Sequence, residues 1–109
     1  MERFHKIWGE RYLLRQDSTH ALSFLDLITG TCCSWHKHET KFNFFFLIEG
    51  SVSIKTEFGE TLLEPGQIFT VEPGTKHQFV VHEDSKLLEE MYVEYAEADI
   101  QRETLGSKL

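Results

Sequence analysis

Residues 30–50 read GTCCSWHKHETKFNFFFLIEG. His36 and His38 stand two apart in a strand-like run. A strand turns side chains i and i+2 to one face, so both imidazoles can converge on one ion. Residues 42–48 then run apolar on both parities, which predicts a strand covered on both faces. One face fills the core and the other meets a second sheet or a second subunit, so a homodimer is expected.

Turn residues divide the rest of the chain into short pieces: Gly9, Asp17 with Ser18, Gly30, Gly50, Gly59, Pro65 with Gly66, Pro73 with Gly74, and residues 83–85. Between them lie segments rich in Phe, Val, Ile, Thr and Tyr, several with period-2 alternation. Strands are expected over residues 11–15, 22–29, 32–37, 44–48, 51–57, 61–63, 67–71, 77–82 and 87–95. Many short strands with no long amphipathic helix between them predict an all-β, antiparallel sandwich or barrel. Only residues 96–102 read as helical, a short C-terminal tail closing one end of the barrel.

A third histidine, His77, follows the turn at Pro73, Gly74 and Thr75 and shares a strand face with Phe79 and Val81. Among apolar neighbours it reads either as a packed core residue or as a third ligand. Three neutral imidazoles suit Zn, Fe, Mn or Ni. In residues 87–95, one parity collects Leu87, Glu89, Met91, Val93 and Tyr95. An acid on that apolar face is a metal-site partner, a general base, or the sign that the two faces are swapped and Glu89 meets water. Lys41 reads as an exposed loop lysine.

The chain has 109 residues, the size of one domain. Eleven Lys and Arg against 18 Asp and Glu leave a net charge of −7, which disfavours a nucleic-acid partner. No apolar run approaches the ~20 residues of a membrane span. Residues 1–6 lack the apolar core of a signal peptide. Adjacent Cys32 and Cys33 are poorly placed to bond to each other, so a reducing, cytoplasmic compartment is expected.

The spacing Gly30, His36, His38, Asn43, Gly50 resembles the first motif of the cupin family, with Asn43 where those proteins usually carry a glutamate ligand. Gly66, Gly74 and His77 resemble the second motif, in which Glu72 and Val81 replace a usual proline and asparagine. The resemblance implies a jelly-roll barrel, or double-stranded β-helix, spanning 1–109 as a single domain, with motifs at 30–50 and 66–81. It implies a divalent transition metal held by His36, His38 and His77, with Asn43 in the fourth ligand position, and a small-molecule ligand.

Residues 6–10 and 97–102 are similar to the flanks of mannose-6-phosphate isomerase-like small cupins. That similarity implies a sugar or sugar-phosphate isomerase in which Glu89 moves the proton and Lys41 attracts phosphate. Three histidines without a carboxylate also resemble the Fe(II) cupin dioxygenases. Other cupins serve as non-catalytic small-molecule binders.

Overall fold

The computed structural model describes residues 1–93 and 108. Within them the chain forms β1 (Glu2–Lys6), β2 (Gly9–Gln16), β3 (His20–Leu27), β4 (Thr31–Cys32), β5 (Phe42–Thr56), β6 (Gly59–Leu63), β7 (Ile68–Val71) and β8 (His77–Tyr92). All of these elements are strands and all their pairings are antiparallel, as the alternation predicts. No helix among the described residues is long and apolar enough to cross a membrane. The helical tail expected over residues 96–102 lies outside the described residues.

β5 and β8 pair along most of their lengths, from Phe42↔Tyr92 to Thr56↔His77. Their two halves take different neighbours. The C-terminal half of β8 pairs with β3, which leads on to β2 and β1, while the N-terminal half of β5 pairs with β7. The other halves pair with β4 and β6. The two long strands thus pass from one sheet into the next, which is the jelly-roll arrangement.

Leu25, Leu27, Phe45, Leu47 and Leu87 come from the first sheet and Val52, Ile54, Leu63, Phe79 and Val81 from the second, and all belong to one buried cluster. The two sheets therefore face each other across a shared core. Burying each of these side chains contributes about 1.5–3 kcal/mol.

The expected turns at Gly50 and at residues 83–85 are not strand ends. They lie opposite each other inside β5 and β8, where the register slips between Leu47 and Val52. Gly50 has φ +100°, and a Cβ there would collide with the side chain and backbone of Ser85 and Asp84. The Ser85 hydroxyl accepts from the Ser51 N–H at 2.9 Å and donates to the Glu83 carbonyl at 2.6 Å. It thereby pairs backbone groups that the bulge removes from the ladder.

Two further expectations need correction. β1 has no apolar alternation (ERFHK, with only Phe4 partly buried) and forms as an edge strand because hairpin pairing with β2 satisfies its backbone. The strand expected over 32–37 ends at Cys32. Beyond it the chain keeps isolated backbone hydrogen bonds to β8, one from the Cys33 N–H to the Phe79 carbonyl and a reciprocal pair between His36 and His77.

Candidate metal centre

His36 and His77 form an isolated antiparallel bridge, with N–H to carbonyl distances of 3.1 and 2.8 Å. This pairing sets their rings edge to face, with centroids 4.6 Å apart. The Gly74 N–H donates to the His38 carbonyl at 2.7 Å, so the turn before His77 is tied to the segment carrying the other two histidines. The His38 ring centroid lies 5.0 Å from that of His36 and 5.5 Å from that of His77. One ring nitrogen from each residue falls within 4.8 Å of the others. Sequence reasoning brings these histidines together, although through a bridge rather than a regular strand.

Hydrogen bonding selects the nitrogen that faces inward. Nδ1 of His77 donates to the Thr75 carbonyl at 2.9 Å, and Nδ1 of His36 to the Ser34 carbonyl at 2.8 Å. A carbonyl only accepts, so both protons sit on Nδ1 and both Nε2 atoms keep free lone pairs. The Nε2 atoms of His38 and His77 are buried and unpartnered, a state that costs about 1–3 kcal/mol per group unless something occupies them. Burial, with the neighbouring imidazoles, holds the pKa of His38 and of His77 below the usual histidine value. Converging imidazole nitrogens, two of them buried and unpartnered Nε2 atoms, are the donor set a divalent transition metal requires, so the residues present fit such an ion.

The three histidines line a cavity of about 220 Å³ together with Glu89, Arg11, Lys6, Trp8, Phe45 and Met91, among others. Glu89 faces inward between Ser23 of β3 and Phe45 of β5, its register partners, so the parity read from the sequence stands. Burial pushes its carboxyl up to about 7, against a smaller opposing effect from Arg11. Asn43 is buried on the same side of β5. Its Nδ2 donates to Glu89 Oε2 at 3.3 Å, and its Oδ1 is buried without a partner.

Lys41 is exposed and borders a separate shallow depression with Asp17 and His20. The cations that do line the histidine cavity are Lys6 and Arg11, which sequence reasoning missed. The signal for Arg11 lay in its parity. It shares a face of β2 with Gly9 and Leu13, opposite the buried Leu25 and Leu27. The remaining histidines are structural: His5 pairs with Glu10, His20 stacks on Tyr92, and His82 bonds Ser53.

The cupin domain family matches residues 23–89, which contain every one of the candidate metal ligands. The chain belongs to the cupin family. No curated protein matches this cupin, whereas solved structures similar to it are numerous. KdgF from Halomonas sp. superposes with a TM-score of 0.77 at 18% identity, over 87% of this chain and 90% of that one. A cupin-2 domain protein from Shewanella frigidimarina gives 0.67 at 17%, over 80% and 82%. A sugar phosphate isomerase of the cupin superfamily from Silicibacter pomeroyi gives 0.67 at 21%, over 76% of this cupin and 58% of that chain. At these identities the likeness shows the fold alone.

Proposed function

We propose that this cupin is a metal-dependent enzyme that moves a proton between neighbouring carbons of a small open-chain carbohydrate, interconverting aldose and ketose forms. The carrying observation is one cavity that combines three imidazoles with converging ring nitrogens and a carboxyl pushed up to about 7. His36, His38 and His77 would hold the ion, and Asn43 Oδ1, buried and unpartnered, is the further oxygen available to it. A divalent ion there supplies Lewis acidity toward a substrate carbonyl and its neighbouring hydroxyl.

Burial raises the Glu89 carboxyl toward neutral pH, which suits it to general acid–base work. It takes the proton from the carbon next to the carbonyl and returns it to the former carbonyl carbon. A hydroxyl proton passes at the same time from the neighbouring oxygen to the former carbonyl oxygen, so the isomerisation balances with no oxidant or other reactant consumed. The Asn43 amide orients the carboxylate by donating to Oε2. Trp8, Phe45 and Phe79 give part of the cavity wall an apolar surface.

A second reading is favoured by the nitrogen-only histidine set, which also suits Fe(II) and O₂ chemistry. Metal identity separates the two. Bound Fe with O₂ uptake supports oxygenation, and Zn or Mn with solvent deuterium entering a test sugar supports isomerisation. Protein that holds no metal and regains none on reconstitution would leave a non-catalytic binder.

We further infer that residues 1–109 act as one domain and that a second copy covers the outer face of the first sheet. Register places Tyr12, Phe24, Leu88, Phe46 and Ile68 in one outward row across five strands. Lys86 and Glu90 flank Leu88 on β8, and Glu10 and Arg15 flank Tyr12 on β2. A two-fold axis along the row sets each of these charges over its opposite in the second copy. The cysteines are both free thiols, Cys32 exposed and Cys33 partly buried, which supports a reducing compartment such as the cytoplasm.

A further inference from the structure

We propose that Arg11, with Lys6 beside it, is the anion-holding arm of the histidine cavity, so that the ligand carries a carboxylate or phosphate group away from its reacting carbons. The inference rests on the cavity's reading as a small-molecule site and names the ligand class it takes.

Arg11 stands on the core-facing side of β2, opposite the fully buried Leu25. The side chain is partly buried there and lines the histidine cavity. Its guanidinium is held by two contacts. Nε donates to the buried Ser23 hydroxyl at 2.9 Å, and the ring of Phe4 lies 5.3 Å beneath Cζ. Ser23 is the direct register partner of Glu89, so this anchor draws the guanidinium toward the acid.

The anchor uses only Nε. Among the described residues, the Nη groups make no hydrogen bond and no carboxylate lies within 4.0 Å of Arg11. Glu89 is committed to Asn43. Lys6, at the end of β1, lines the same cavity and likewise has no ion pair among the described residues.

A chain with net charge −7 thus presents two cations without an ion pair among the described residues at one small cavity. The two Nη groups of an anchored guanidinium match the spacing of carboxylate or phosphate oxygens. A cavity of about 220 Å³ lies below the range that holds drug-sized ligands and suits a single small metabolite. This placement gives the anion-attracting role to Arg11 and Lys6 rather than to Lys41, which does not line the histidine cavity.

The test is isothermal titration of the full chain with D-gluconate, D-glucose 6-phosphate and neutral D-glucose, with metal content measured on the same sample. At least one anion is expected to bind about tenfold or more tightly than glucose. Arg11→Met should remove that preference, an affinity loss of about ten- to a hundredfold, with metal content unchanged, and Lys41→Met should keep it. Whichever anion binds more tightly identifies carboxylate or phosphate as the recognised group.

Arg11→Lys retains the charge but not the fork, and weaker anion binding by this variant supports the inference even if Arg11→Met fails to fold. Equal binding of anions and glucose, no measurable binding of either anion, or anion preference surviving both Arg11 variants overturns it. Metal-free protein that still prefers anions would sink the isomerase reading and leave this one standing. Metal-replete protein without the preference would do the reverse.

Discussion

Glu89 meets two demands that pull in opposite directions, since the burial that readies its carboxyl for proton transfer also penalises the folded state once it ionises. Folding raises its pKa from 4.5 to about 7, so the native chain keeps a proton that the unfolded chain has released. Stability from this group is therefore fully present below about pH 4.5 and is lost as pH rises to about 7. In metal-free protein, Glu89→Gln is expected to unfold at higher temperature than wild type at about pH 8, by up to roughly 3 kcal/mol. That gain should vanish below about pH 4.5, and equal melting temperatures across the range would contradict it. In metal-replete protein the same variant should lose isomerase turnover. Cys33 illustrates burial acting on a different group. Burial pushes its thiol up to about 12, and its sulfur accepts the Phe79 N–H at 3.2 Å. Iodoacetamide at about pH 8 should modify Cys32 and leave Cys33 intact, as peptide mass mapping would show.

At the level of elements, the central feature is the facing pair of bulges where β5 and β8 pass from one sheet to the other. Gly50→Ala adds a Cβ in the left-handed region and against Ser85. It should destabilise by about 2 kcal/mol or more in urea unfolding. Leu87→Ala, in the core beside this crossing, should cost about 2–5 kcal/mol. The same region shows what could be read in advance. Alternation located most strands, because half-buried faces impose period 2, and it placed Glu89 on the correct side. Gly50 and residues 83–85 carry turn chemistry but make bulges, since a left-handed glycine serves either purpose and only the partner strand decides between them. β1 was illegible because an edge strand needs backbone pairing, not an apolar face. The histidine spacing was readable because motif distances persist. Arg11 was legible from its parity on β2, whereas Lys6 escaped notice because the β1–β2 hairpin that brings it to the cavity depends on pairing that local sequence does not encode.

For the whole molecule, the outward row from Tyr12 to Ile68 makes association the expected state. Light scattering after size exclusion should give twice the chain mass, and Phe46→Glu with Leu88→Glu should give monomers that still bind metal. A wild-type monomer would remove the proposed interface without affecting the cavity. The centre itself is tested by counting ions. Protein purified without added metal and analysed by inductively coupled plasma mass spectrometry should carry about one divalent transition ion per chain, and His77→Ala should carry less than about a tenth of that. Wild-type protein that holds no such ion, and takes none up after dialysis against Zn, Mn, Ni and Fe(II), would contradict the metal centre and the isomerase chemistry built on it.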